Sequence, residues 1–172
     1  MTARKVFLFF ILFCIALMMV GVYLEYFKNI HPCILCLLQR YSVILIGFFS
    51  ILAFLQNPKI IGQRIYAIFI FLFSVFGLAA ASRQIWLEHQ PQTQTISCLP
   101  DPSYLLTHLP LMRAITVMLQ GSSDCGQIQW VFLSFSLADW SFFAFLVLAV
   151  LALVILFFAR QFKIKGDAWI QK

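Results

Sequence analysis

Four long apolar runs constrain the fold of this chain more than any other feature of its sequence. They cover residues 6–24, 37–55, 65–81 and 141–159. A helix rises 1.5 Å per residue, so each run is about long enough to cross the roughly 30 Å hydrocarbon core of a bilayer. The runs lack the alternation of barrel strands, and only helices or closed barrels satisfy their backbone in lipid. The sequence predicts an all-α membrane protein, one integral membrane domain over 1–172 folded as an antiparallel four-helix transmembrane bundle.

The first run has two interpretations, because basic residues precede it as they would in a secretory signal. Arg4 and Lys5 stand before the run. The apolar stretch is longer than a signal core, and "MMVGVYLEY" offers no small-residue cleavage site. We therefore expect a retained signal-anchor helix.

The basic residues are divided unequally between the two sides of the predicted membrane. Four spans put both termini on one side, which holds most of the 12 Lys and Arg: Arg4, Lys5, Lys59, Arg64, Arg160, Lys163, Lys165 and Lys172. The positive-inside rule places segments 1–5, 56–64 and 160–172 in the cytoplasm and segments 25–36 and 82–140 outside. The net charge of +6 is then a signal of orientation, and no feature indicates nucleic acid.

The long outer segment has two kinds of sequence. Its first part is rich in Gln, Thr and Pro, which is typical of irregular chain. Apolar residues then return at near-helical spacing: Leu105, Leu109, Met112, Ile115 and Leu119. This spacing predicts a short amphipathic helix on the membrane surface, and Trp130 and Trp140 are expected at headgroup depth.

Of the five cysteines, four fall on the predicted outer side, where disulfides persist. Cys14 lies within the first span and is expected to be a small packing residue. Cys33 and Cys36 form a C-x-x-C pair at the start of the second span, and Cys98 and Cys125 lie in the long outer segment.

Zinc, haem, structural disulfides and redox chemistry are the alternatives for these four cysteines. The spacing of Cys98 and Cys125 is loose for a zinc knuckle, and c-type haem attachment needs a histidine where this chain has Leu37. A Cys98–Cys125 disulfide would serve as a structural staple worth ~3 kcal/mol. A C-x-x-C ring constrains little unfolded chain, so its usual value is redox.

Cys36 is expected in the first helical turn, where the positive end of the helix dipole favours a thiolate. His31 either adds to this effect or is a bystander. Arg40 follows one turn later on the same face. It either extends to the lipid headgroups or binds an electrophile or anion beside Cys36, and the neighbouring cysteines favour the second interpretation.

Two dithiol pairs on one side of a membrane suggest a relay of electrons, and the sequence restricts the final acceptor. No G-x-G-x-x-G motif follows a strand, so flavin and nicotinamide have no support, and the spans offer no pair of histidines for haem. A two-electron carrier dissolved in the bilayer remains, which means a quinone next to Cys36 and Arg40 at the outer mouth of the bundle.

These features together resemble the bacterial disulfide bond formation protein B (DsbB) family over nearly the whole chain. The similarity consists of four spans, the C-x-x-C motif with Arg40 behind it, and two cysteines between the third and fourth spans. It extends to "WLEH" at the exit of the third span and to "SSDCGQIQW" around Cys125. The resemblance implies an inner-membrane oxidoreductase that reoxidises a periplasmic DsbA-type thiol oxidase and reduces ubiquinone or menaquinone.

The resemblance also implies a role for each outer cysteine. Cys98 takes the attack of the reduced DsbA-type partner and forms the intermolecular disulfide. Cys125 is the resolving mate of Cys98 and exchanges with Cys33. Cys36 is then the thiolate that reacts with the quinone.

Two further residues acquire roles by the same resemblance, and one residue departs from the family pattern. Arg40 polarises a quinone oxygen, and His89 stands where family members place a histidine near the quinone. Gln39 occupies a position where the family often has Glu, and we expect it to tune the reaction without abolishing it.

Two rival interpretations have weaker support. Vitamin K epoxide reductase-like proteins also combine four spans with two cysteine pairs, but there the loop pair precedes the C-x-x-C. A four-span scaffold with a disulfide-stapled outer loop would not need a C-x-x-C motif and Arg40 at a helix mouth.

Overall fold

The computed structural model describes residues 3–28, 33–89, 110, 112–113, 116, 131–132 and 135–167. Four long helices dominate: α1 (Ala3–Lys28), α2 (Ile34–Gln56), α3 (Ile60–Glu88) and α4 (Leu137–Asp167). All four are long and apolar enough to cross a membrane. The chain is a multi-pass membrane protein, and the predicted all-α, four-span architecture is confirmed.

The helices pack in chain order. The most extensive interfaces are those of α3 with α4 and with α2, while α1 packs mainly on α2. One end of the bundle brings together the end of α1, the start of α2, the end of α3 and the start of α4. This end carries Cys33 and Cys36 and is called the cysteine end below.

The connection between α2 and α3 is short because its residues stop one helix and begin the next. Asn57 ends α2 in the left-handed conformation, with φ 40° and ψ 58°, which asparagine tolerates better than most residues. Pro58 follows and cannot continue the helix. The chain therefore reverses within the three residues 57–59.

A short antiparallel pair of strands precedes α4, and it was not predicted from the sequence. Strand β1 (Val131–Phe132) pairs with strand β2 (Phe135–Ser136), with Val131 opposite Ser136. The Ser136 side chain then accepts a hydrogen bond from the Asp139 backbone N–H at 3.3 Å, while Asp139 Oδ2 accepts from the Ser136 N–H at 2.9 Å. This reciprocal pair is a capping box that fixes the start of α4.

The core in the middle of the bundle is apolar and includes Cys14, as predicted. The buried side chains of this core are Phe7, Phe10, Cys14, Val43, Ile46, Ala53, Ala67, Ile70, Phe145, Leu148, Ala152 and Ile155. Large apolar side chains are also exposed on the outside, for example Leu55 at 70% and Phe157 at 77%. Such a surface is stable against lipid tails and unstable in water.

The tightest helix contact in this core is between α3 and α4. A Cβ atom added at Gly77 would lie 2.3 Å from a ring carbon of Phe145, far inside van der Waals contact. Glycine therefore allows the Phe145 ring to lie directly against the α3 backbone, as small residues do at helix contacts in membranes.

Buried hydroxyls in the middle of the bundle are satisfied within their own helices. Ser42, Ser50 and Ser74 donate to the carbonyl four residues earlier, at 3.0, 2.7 and 2.8 Å. This arrangement buries a polar atom without requiring a partner on another helix.

The predicted amphipathic helix falls mostly outside the described residues. Met112, Arg113 and Thr116 are described as helical, and the Arg113 N–H donates to the Pro110 carbonyl at 2.8 Å. The Thr116 hydroxyl donates to the Met112 carbonyl at 2.8 Å.

Candidate functional site

Cys33 and Cys36 lie together at the first turn of α2. Cys33 is the N-cap residue, with extended backbone angles, and its carbonyl accepts the Leu37 N–H at 3.1 Å. The two sulfur atoms are 3.3 Å apart. Cys33 is buried and Cys36 is partly exposed. The two thiols are thus close enough to be joined by oxidation, and Cys36 is the more accessible to a reaction partner.

A buried pair of amides connects Cys36 to α3. The Cys36 sulfur lies 3.6 Å from Oε1 of Gln84, and Gln39 Nε2 donates to the same oxygen at 3.0 Å. Gln39 and Gln84 are each only 6% exposed. Gln39 comes one turn after Cys36, so α2 presents both side chains to α3 on one face.

Arg40 binds α1. Its Nη1 donates to Oε2 of Glu25 in a salt bridge, and its Nη2 donates to the Gly21 carbonyl at 3.1 Å. The side chains of Arg40 and Glu25 are 27% and 37% exposed. A Cβ atom added at Gly21 would lie 3.5 Å from Arg40 Nε, so the guanidinium lies flat along the α1 backbone.

His89 lies at the same end of the bundle, just after α3. Its Nδ1 is 2.8 Å from the Ile85 carbonyl, and the side chain is exposed. Because a carbonyl only accepts, this contact requires a proton on Nδ1, and Nε2 of the neutral ring is then an acceptor. Among the described contacts, the His89 ring bonds to its own helix.

The remaining candidates differ in what the structure describes. Cys98, Cys125 and His31 lie outside the described residues. Cys14 lies in the apolar core. No group of three His, Cys, Asp or Glu side chains able to hold a metal ion occurs in the part of the chain that the structure describes.

Sequence reasoning missed three residues of this site: Gln84, Glu25 and Gly21. Glu25 had a detectable signal, because it is the first acidic residue of the chain and lies at the end of an apolar run. A charge at that depth usually pairs with an opposite charge, which here is Arg40. Gln84 and Gly21 had no comparable signal, since their roles depend on how neighbouring helices are rotated.

Comparisons with known proteins point to one family. The family model described as "Disulfide bond formation protein DsbB" matches residues 3–155. Disulfide bond formation protein B 1 of Pseudomonas aeruginosa is 37% identical over 158 residues, covering 92% of this chain and 96% of the relative. Disulfide bond formation protein B of Marinobacter nauticus is 36% identical over 156 residues, covering 91% and 93%. The protein of the same name from Azoarcus sp. is 37% identical over 157 residues, covering 91% and 94%. No solved structure matches the chain.

Proposed function

Because this chain belongs to the DsbB family of membrane disulfide oxidoreductases, we propose that it reoxidises a DsbA-type thiol oxidase of the periplasm and delivers the electrons to membrane quinone. The observation that supports this most is the position of the Cys33–Cys36 pair. The two sulfurs lie 3.3 Å apart at the mouth of an apolar bundle, with Cys36 partly exposed. A reactive dithiol placed there can exchange with a protein outside the membrane and meet a carrier dissolved within it.

The four outer cysteines would act as two pairs that exchange thiols and disulfides. A partner thiolate attacks the Cys98–Cys125 disulfide at Cys98, and the second partner thiol releases the oxidised partner, so Cys98 and Cys125 gain two electrons and two protons. Cys125 then attacks Cys33 of the Cys33–Cys36 disulfide, and a Cys98 thiol completes the exchange. Cys33 and Cys36 thereby become the dithiol.

The residues near Cys36 fit a quinone. The two carbonyl oxygens of a quinone accept hydrogen bonds, and its ring and tail are apolar. A guanidinium carries five N–H donors, and the contacts with α1 use two, so Arg40 has the capacity to donate to a quinone oxygen while bound to α1. Cys36 and Arg40 would hold the quinone, with His89 nearby. A bound quinone supplies an acceptor for the two electrons and two protons of the dithiol.

The thermodynamic requirement supports this acceptor. A DsbA-type oxidase is strongly oxidising, at about −120 mV, and any acceptor of its electrons must lie at a more positive potential. A nicotinamide is too reducing, whereas a respiratory quinone meets the condition. The location we propose is the bacterial inner membrane, with both termini in the cytoplasm and the cysteine end facing the periplasm.

The test is to add a reduced DsbA-type protein to membranes that contain the full-length chain and to follow quinone reduction. In spheroplasts, whose periplasmic face is accessible, we expect turnover for the wild type and none for Cys36→Ser, because serine cannot replace the thiolate. Cys14→Ala is the matched control: it also removes a cysteine, but from the apolar core, and should keep turnover. Wild-type turnover by inserted Cys36→Ser would contradict the redox proposal, and turnover only in inverted vesicles would contradict the proposed orientation.

A further inference from the structure

The buried amide pair next to Cys36 can hydrogen-bond to the Cys36 sulfur, which apolar neighbours could not do. Gln84 Oε1 is 3.6 Å from the Cys36 sulfur and 3.0 Å from Gln39 Nε2. In this orientation the amide oxygen accepts the S–H of a Cys36 thiol. A thiolate has no hydrogen to donate, so the Gln84 oxygen would then face a negative sulfur with no hydrogen bond between these two atoms.

The same two amides can also provide a hydrogen bond to the thiolate. An amide rotated by half a turn occupies nearly the same volume with its oxygen and nitrogen exchanged. Rotated in this way, Gln84 presents N–H to the sulfur and its second N–H to residue 39. Gln39 can follow, because it also carries both a donor and an acceptor. The buried amides therefore keep their mutual hydrogen bond in both orientations, as burial requires.

We propose that Gln84 is a positioning residue for Cys36, accepting from its thiol and donating to its thiolate, and that Gln39 keeps the Gln84 amide hydrogen-bonded in both orientations. The proposal rests on the proposed function in one respect, since the thiolate of Cys36 is the species that would react. When the thiol loses its proton to water, the amide pair rotates and the new N–H donor stabilises the thiolate.

Other charged or titratable groups surround this end of the bundle, and the test must leave them unchanged. Among the described residues they are Tyr23, Glu25 and Tyr26 on α1, Cys33, Arg40 and Tyr41 on α2, Arg83, Glu88 and His89 at the end of α3, and Asp139 on α4. Substitutions at positions 39 and 84 remove none of these groups, so a change in Cys36 reactivity would come from the amides.

The experiment measures the rate at which iodoacetamide alkylates Cys36 in the reduced full-length protein, in detergent at pH 7 and without quinone, by mass spectrometry of the peptide. Only a thiolate reacts, so the rate reports its population. Methionine is similar to glutamine in length and cannot donate. Gln84→Met should slow the alkylation of Cys36 about tenfold, the effect of losing one hydrogen bond to a charged group.

Two further variants separate this role from a merely structural one. Gln39→Met leaves the Gln84 amide without its buried partner, so it should destabilise the bundle and yet keep Cys36 alkylation within about twofold of wild type. The double variant Gln39→Met/Gln84→Met replaces both partners by apolar groups, which is nearly neutral for stability, and yet it should be as slow as Gln84→Met. Ser74→Ala, which changes another buried polar residue of α3, is the control and should alkylate at the wild-type rate.

The result that would overturn the proposal is wild-type alkylation of Cys36 in Gln84→Met or in the double variant. Equal slowing by Gln39→Met and Gln84→Met would also overturn it, because the effect would then follow the packing of the pair. Since no quinone or partner protein takes part, these outcomes are independent of the proposed function. A wild-type protein that fails to reduce quinone would refute the function and leave the alkylation result interpretable.

Discussion

The middle of the bundle and its cysteine end are built from the same helices but are held together differently. In the middle, Phe145 of α4 lies against Gly77 of α3, and Phe49 of α2 stacks on Phe69 of α3 with ring centroids 4.9 Å apart. At the cysteine end, side chains join helices through polar contacts. Arg40 reaches Glu25, and Gln39 reaches Gln84.

The difference indicates how stability and reactivity are separated in this molecule. Lipid tails are as apolar as a leucine side chain, so helices in a membrane associate through close packing, and the middle provides it. Polar contacts between helices contribute less than they would cost if one partner were removed. They fix the positions of particular atoms, which a reactive cysteine requires. Substitutions in the middle should therefore change stability first. At the cysteine end, substitutions of side chains that contact Cys36 or Arg40 should change turnover first.

The largest expected effect lies in the middle, at Gly77. Gly77→Ala places a methyl group 2.3 Å from the Phe145 ring. Phe145 is 2% exposed, so its ring has little room to move. We expect a loss of about 1–3 kcal/mol of stability, the usual cost of overpacking a core. Thermal unfolding in detergent measures it.

A second substitution makes the Gly77 prediction specific to this contact. Phe145→Leu alone should destabilise by opening a cavity. Combined with Gly77→Ala, it should recover part of the loss, because the added methyl group occupies the space that the ring has left. Additive losses in the double variant would mean that the two residues do not meet as described.

Hydropathy predicted the middle of the molecule well, because a membrane span is a long local signal. Each predicted run falls inside one helix: 6–24 in α1, 37–55 in α2, 65–81 in α3 and 141–159 in α4. The helix ends were predicted less well. For example, α3 continues to Glu88 through Arg83 and Gln84, which are too polar to count as part of an apolar run.

The site was predicted only as far as local sequence extends. The start of the second apolar run placed Cys33 and Cys36 at the start of α2, with Cys36 in the first turn, where the structure has them. Arg40 was expected on the same face of α2 as Cys36, one turn later. Whether its guanidinium reaches the lipid headgroups, a molecule beside Cys36, or α1 depends on what faces it. The structure gives it Glu25 and Gly21. Such contacts join positions far apart in the chain, so spacing could not reveal them.

The next expected effect lies at the cysteine end, at Glu25. Glu25→Gln removes the negative charge that holds Arg40 on α1 but keeps a similar volume. If Arg40 donates to quinone, its position would become less well fixed, and we expect the KM for quinone to rise about tenfold, or 1.4 kcal/mol. Stability should change by less than 1 kcal/mol, as for other partly exposed ion pairs. Quinone titrations of turnover and thermal unfolding measure the two effects.

The matched control for Glu25 is the other glutamate of the cysteine end. Among the described residues, Glu88 of α3 interacts electrostatically with Ser136, Asp139 and its neighbour His89, and Arg40 is not one of these groups. Glu88→Gln should leave the KM for quinone within about twofold of the wild type. An unchanged KM in Glu25→Gln, or an equal rise in both variants, would show that the Arg40–Glu25 pair does not position the guanidinium for quinone.

The smallest effect is expected for a buried polar residue in the middle of the bundle. Its substitution tests whether every buried polar residue affects turnover, as those of the cysteine end should. Ser50 is fully buried, and its hydroxyl donates to the Ile46 carbonyl of its own helix at 2.7 Å. Ser50→Ala leaves that carbonyl with the backbone N–H of residue 50, so no polar atom loses its only partner. We expect less than about 0.5 kcal/mol of change in stability and no change in turnover. A loss of turnover without a loss of stability in Ser50→Ala would contradict the division of roles between the two regions, because the described hydrogen bond of that hydroxyl stays within α2.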